Sequence, residues 1–260
     1  MDHNSPEEKS KAVRKTGPNR RLIMSVILIA AGLLVTVYSG YEWLSLQRQQ
    51  AELREAYEIS AGFRNLYEGE QVEEPGEDER AVEIEAFEPM RLVIPSIEVD
   101  LIVLGDVDAY DREVVGNKPW EFPPDQYQKW LDALRVLLDQ GPVYYQLSDL
   151  PSSEGGNVVI SAHRAGRWNF FRYLDQLQAG DEIHLDVSGY RFTYLVEKVV
   201  QVDAHDWAMF FTTEEPVITL QTCTPLGVPN PPYRLNARGI LHEVKPLTAE
   251  GEKPVTPEVD

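Results

Sequence analysis

The stretch EIHLDVSGYRFTYLVEKVVQV (182–202) reads as two β-strands, because β-branched and aromatic residues dominate both halves and Gly189 separates them. Strand-like runs recur on either side of it. RLVIPSIEVDLIVL (91–104) is rich in β-branched residues around a proline break, NVVISAH (157–163) alternates, and VITLQTC (217–223) and RLNARGILHEV (234–244) follow. Glycine and proline punctuate the runs at Gly105, Gly141-Pro142, Gly155-Gly156, Gly180 and Pro216. Many short strands with turn signals between them predict a barrel or sandwich, not a βαβ sheet. Two helical segments interrupt the strands. PPDQYQKWLDALRVLLDQ (123–140) repeats Trp130, Leu134 and Leu137/Leu138 at helical spacing, and a shorter turn at 169–177 precedes Gly180. The folded unit is read as 90–245.

Outside that unit the composition changes. Residues 1–21 hold six basic side chains and read as a cytoplasmic leader. LIMSVILIAAGLLVTVYSGY (22–41) then runs 20 residues without a charge, which as a helix spans ~30 Å, the thickness of a bilayer core. The run exceeds the ~7–15 apolar residues of a signal peptide and no small-residue cleavage site follows, so it reads as an uncleaved membrane anchor. The basic leader keeps the N-terminus inside and puts the remainder outside. Residues 42–67 read as a polar juxtamembrane helix, a stalk. Residues 68–89 carry ten acidic side chains against one arginine and read as a disordered linker, and 246–260, with three prolines, as a frayed tail.

The whole chain has 43 acidic and 24 basic residues and a net charge of −19, which argues against nucleic acid as a partner. Its single cysteine excludes an internal disulfide and a multi-thiolate zinc site. The spacing of the five histidines is not that of metal ligands, and nothing in the spacing of the acidic residues identifies a calcium site, so no cofactor is expected. What remains is one thiol outside the membrane at the end of a strand. Period-2 alternation in VITLQTC puts Cys223 on one face with Gln221, Thr219 and Val217, and Thr224-Pro225 ends the strand there. The ordinary fate of a free cysteine is that of a small buried hydrophobe; a polar face and an oxidising compartment favour a reactive one. A nucleophilic thiol needs a proton partner and an oxyanion donor. His163, ending NVVISAH, and Arg234, in YRLNARG, are the candidates. A loop histidine and a solvent-facing strand arginine are their ordinary readings.

TLQTC (219–223), followed by TP and with an arginine eleven residues beyond the cysteine, resembles the TLxTC…R signature of sortases, the membrane-anchored cysteine transpeptidases. GNVVISAHR (156–164) is similar to the family's histidine segment, RWNFFRYLDQLQAGDEIHL (167–185) to its FxxLxxLxxGD segment, and RLVIPSIEVD (91–100) to its first barrel strand. The likeness covers residues 89–244. It implies a closed, mostly antiparallel eight-stranded β-barrel with short helices. It implies Cys223 as nucleophile, His163 as general acid and base, and Arg234 as oxyanion donor, with Arg238 the weaker claimant to that role. Thr222, Trp207, Phe210 and Arg238 are the substrate-binding candidates. The reaction implied cleaves a Leu-Pro-x-Thr-Gly-type sorting signal of a secreted protein through a thioester. The acyl group then passes to an amine of a cell-wall precursor or a pilin. Two departures stand out. Ala162 replaces the glycine often found before the histidine, and 106–140 is longer than the family's usual connection, so that the helix at 123–140 reads as an insertion, a lid or a scaffold for partners. A cysteine hydrolase of another fold and a non-catalytic anchored binding domain are the other readings.

Overall fold

The computed structural model describes residues 20–68, 81–105, 122–166 and 169–247; residues 1–19, 69–80, 106–121, 167–168 and 248–260, which hold most of the expected leader, linker and tail, lie outside the described residues. Helix α1 (Arg20–Glu68) contains a portion, Ile23–Ile59, long and apolar enough to cross a membrane by length and composition. The chain divides into two units, Met1–Ser45 and Leu46–Asp260. In the first, the apolar side chains of α1, such as Leu33 and Leu34, are exposed.

The second unit is built on a closed barrel. Its strands are β1 (Met90–Ile94), β2 (Val99–Gly105), β3 (Val143–Tyr144), β4 (Asn157–Ser161), β5 (Glu182–Val187), β6 (Tyr190–Asp203), β7 (Val217–Thr224) and β8 (Tyr233–Pro246). They follow one another around the barrel as β1-β2-β3-β4-β7-β8-β6-β5, and β5 pairs back onto β1. The pairs β2–β3 and β4–β7 are parallel and the others antiparallel. The expected eight-stranded, mostly antiparallel barrel is therefore present among the described residues. The hairpin that signals it at 182–202 turns on Ser188 and Gly189, both at positive φ (53° and 78°), the geometry of a two-residue turn that matches strand twist. Buried Asp186 accepts two bonds of 2.7 Å from Arg191 across that hairpin.

Alternation decides what fills the barrel. Leu92, Ile94, Val158, Ile160, Ile183, Leu185, Phe192, Tyr194, Ile218, Leu220 and Ala237 point inward into one core, which Phe171 and Leu174 join. Strand β4 is buried along its whole length, however, because its outer face is covered too. Helix α2 (Pro124–Leu138) lies there and, with Phe122, Val143, Leu147, Val159, Met209 and Phe210, makes a second cluster through Trp130 and Leu134. Thus the helix expected at 123–140 forms, and it packs on the barrel.

Two segments depart from their sequence readings. Residues 81–89, assigned to a disordered linker by composition, lie along the barrel: Ile84 is buried, its N–H donates to the Pro151 carbonyl at 3.0 Å, and Val82 exchanges bonds with Ser153. Alternation of Val82 and Ile84 with glutamates is itself a strand pattern, hidden by the charge of the surrounding window. The C-terminal half of α1, expected as a stalk, packs on the second unit's own barrel. Leu46 and Tyr57 are buried, Arg54 pairs with Asp100 at 2.9 Å, and Gln50 donates to the Gln140 carbonyl at 2.7 Å while accepting from the Ile102 N–H.

Candidate active site

Three adjacent strands, β4, β7 and β8, carry the three groups that the sequence singles out. In the antiparallel β7–β8 ladder Cys223 pairs directly with Arg234. Paired residues project to the same side of a sheet, so the thiol and the guanidinium share a face. In the parallel β4–β7 ladder Ser161 pairs with Gln221, and the Ala162 N–H continues it by donating to the Gln221 carbonyl at 3.1 Å. Two residues past Ser161, His163 is level with Cys223. The inward set on these strands is Ile218 and Leu220 on β7, Leu235 and Ala237 on β8, and Val158, Ile160 and Ala162 at β4. By the two-residue period Cys223, Arg234 and His163 belong to the outer face.

The backbone at His163 is held on both sides. Its carbonyl accepts from the Phe171 N–H at 3.0 Å. The next residue, Arg164, is buried, donates to Thr224 Oγ1 at 3.0 Å and pairs with Asp175 at 2.8 Å, tying the end of β4 to the end of β7 and to the 174–176 turn. The ring of His163 is bonded through Nε2 to Asp139 Oδ1 at 3.1 Å, at the C-terminal cap of α2. Arg234 Nη1 donates to the Pro231 and Tyr233 carbonyls, 3.0 Å each, which hold the guanidinium. Cys223 itself is partly exposed, open to a reactant.

Below Cys223 the outer face of the three strands is a polar ladder. Thr219 donates to Asn157 Oδ1 at 2.9 Å, Gln221 donates to Asn236 Oδ1 at 3.2 Å, and Ser161 lies 3.4 Å from Gln221 Oε1. The 208–210 turn lies on this ladder, with the Met209 carbonyl accepting from Asn157 and its sulfur from Gln221. Aromatic rings wall the same side. Tyr145 meets Phe210 edge-on at 5.0 Å and Trp130 at 6.0 Å, and Trp207 stacks on Phe210 at 5.5 Å.

Of the expected substrate-binding residues, Phe210 is buried in this aromatic wall and Trp207 lies at its edge. Thr222 is 2% exposed and its hydroxyl donates to the Ala162 carbonyl at 2.7 Å. That bond crosses from β7 to β4 and uses the hydroxyl to brace the backbone before His163. Arg238 pairs with Thr219, four residues from the Cys223 level, or ~13 Å along the strand. It is engaged by Glu197 at 3.3 Å. Arg234, not Arg238, is the arginine level with the thiol. Two groups at the site carry no local sequence signal. Asp139 is one. Tyr145 is the other: burial pushes its phenol above the usual value, Arg234 opposes that rise, and Ser161 bonds it, so the phenol stays protonated next to the Cys223–Arg234 pair.

A family model described as the Sortase domain matches residues 92–241. Sortase D of Bacillus subtilis (strain 168) is 24% identical over 220 residues, which cover 82% of this chain and 94% of that protein. Sortase SrtE1 of Streptomyces coelicolor is 27% identical over 126 residues, 43% of this chain and 35% of that protein. Among solved structures, sortase A of Listeria monocytogenes is similar with a TM-score of 0.47 and 19% identity, over 62% of this chain and 91% of that one. The family match runs from the first barrel strand into the last and takes in the thiol, the imidazole and the guanidinium, and with it the chain belongs to the sortase family of cysteine transpeptidases.

Proposed function

We propose that this chain is a membrane-anchored transpeptidase acting on secreted proteins that carry a Leu-Pro-x-Thr-Gly-type sorting signal. The observation that carries the reading is the direct cross-strand pairing of Cys223 with Arg234, with His163 level on the neighbouring strand. In the first step the Cys223 sulfur attacks the carbonyl before the scissile bond, and an S–C bond forms as the C–N bond breaks. His163 takes the thiol proton and gives it to the departing amine. Arg234, a fixed fork of donors, holds the oxyanion that forms on the way. A thioester on Cys223 results. In the second step an amine of a cell-wall precursor or a pilin attacks the thioester, its proton passes to His163, and the sulfur leaves. No metal or other cofactor enters this scheme. The N-terminal apolar helix sets the barrel outside the cell membrane, where unfolded signals and wall amines are found.

The test uses the full chain in detergent micelles with a Leu-Pro-x-Thr-Gly peptide, with and without an added amine, beside Cys223→Ala. Intact-protein mass spectrometry is expected to show a peptide adduct on Cys223 and, when the amine is present, an amide product. Absence of an adduct, or full activity in Cys223→Ala, overturns the reading. An adduct released only to water, whatever amine is supplied, leaves a hydrolase in its place.

A further inference from the structure

The His163–Asp139 bond joins a catalytic group to an element outside the barrel. Asp139 follows the last turn of α2, where its N–H is held by the Arg135 and Leu137 carbonyls. A carboxylate only accepts, so the proton of the 3.1 Å contact sits on His163 Nε2 whether the ring is neutral or charged. The ring nitrogen left to take up or release a proton is Nδ1. The Asp139 end of this bond is itself fixed. Trp130 and Leu134 dock α2 onto β3 and β4, and the neighbouring residue, Gln140, is clamped by α1: Gln50 Nε2 donates to its carbonyl at 2.7 Å and Gln49 Nε2 to its Oε1 at 3.0 Å. Side-chain exposure of 52% for Asp139 and 32% for His163 leaves both ends open to a reacting peptide.

We infer that Asp139 is the positioning residue of His163: its carboxylate fixes the imidazole in the Nε2–H form, aims it, and leaves Nδ1 as the atom that exchanges the proton with the Cys223 thiol and the two amines. The inference rests on the transpeptidase reading given above. In both steps the imidazolium forms beside a fixed negative charge, which favours it, as a buried carboxylate does for the histidine of other acyl-transfer sites. The positioning group is supplied by the cap of the helix that covers the outer face of β4.

The experiment uses the full chain in micelles with 15N-labelled histidine rings, the His163 signals being assigned by their loss in His163→Gln. Long-range proton–nitrogen spectra are expected to show the Nε2–H tautomer in the wild type and a mixture of tautomers in Asp139→Ala. Turnover of the sorting peptide is expected to fall ~10-fold in kcat in Asp139→Ala, part of the 10²–10⁴ that general acid–base catalysis contributes, with KM within about two-fold. Asp139→Asn, which keeps the size of the helix cap, is expected to lose about as much, and Asp139→Glu to recover at least half. An Nδ1–H ring in the wild type overturns the inference. So does an unchanged or raised kcat in Asp139→Ala, since the contact would then be idle or occluding. The tautomer measurement needs no substrate, so it stands if the wild type forms no thioester, an outcome that instead counts against the transpeptidase reading.

Discussion

Replacing Trp130 by alanine tests whether α2 is a separable cover that the chemistry needs. Trp130 is 4% exposed, and its ring lies 5.7 Å from Tyr127, 6.0 Å from both Phe122 and Tyr145, and 6.5 Å from Trp207. Truncating such a residue costs ~3–5 kcal/mol, a figure that includes the ~0.5–1.5 kcal/mol that each aromatic pair adds to area burial. The cluster is distinct from the barrel core, which has its own set of inward residues. The cost should therefore fall on docking of α2 and leave the barrel closed. At ~1.4 kcal/mol per tenfold, opening of α2 becomes about a hundred- to a few-thousand-fold more frequent. Hydrogen exchange of the full chain, read by mass spectrometry, would show this as lost protection over 127–138 while β5 and β6 keep theirs. Turnover should fall with it, because Asp139 travels with the end of α2. Equal loss of protection in β5 and β6 would show that the two clusters form one cooperative core. Full turnover from a chain whose α2 has lost protection would show that the cover has no part in catalysis.

Arg234→Ala should cost ~10²–10³ in kcat, the usual loss of an oxyanion donor, and Arg238→Ala no more than a few-fold; peptide turnover with equal losses would undo the assignment of roles. Thr222→Val keeps shape but leaves the Ala162 carbonyl without its side-chain donor, so thermal melts should show a loss of ~1–3 kcal/mol, and an unchanged melt would remove the bracing role given to that bond. Burial, with Arg191 nearby, holds His184 below its ordinary 6.5, so the unfolded chain takes up a proton there before the folded one does. The contribution is complete above about 6.5 and is lost as pH falls through the lower folded value; the melting temperature should decline on that side of the range, less so in His184→Gln, and an identical decline in the variant would assign it to other groups.

Most of the barrel was legible because its strands alternate, and alternation is local. VITLQTC and RLNARGILHEV each declare one apolar face, and the pairing of Leu220 with Ala237 and Thr222 with Leu235 turns those faces inward. Helix α2 was legible from Trp130, Leu134 and Leu137, but not its docking surface, which depends on the ring of Tyr145, just after β3, and on rings of the 207–210 turn. Composition misread 81–89 because the glutamates around Val82 and Ile84 dominate any window long enough to average. Tyr145 gave no signal. Its neighbour Tyr144 fills the barrel core, and only the two-residue period, together with a cover that no sequence pattern announces, makes Tyr145 part of the site.

The same contrast separates the two kinds of residue at the active site. Cys223 and Arg234 stand on strands whose register is enforced by burial. A one-residue slip of β8 would drive Arg234 into the barrel and bring Ala237 and Leu235 out, so core packing itself keeps Arg234 paired with Cys223 on the outer face. His163 is held by the same logic through Val158, Ile160 and Ala162. Spacing along the chain is then enough to place all three, and a motif can record it. The price is that a site on the outer face of a barrel is bare unless another element covers it. Here the cover is α2 with the 207–210 turn, fastened by tertiary packing and by glutamines of α1, and the bond it sends to the site joins Asp139 to a histidine 24 residues away. No register fixes that distance. It holds only while the helix is docked, so the orientation of His163 is tied to a structure that the barrel does not require for its own closure.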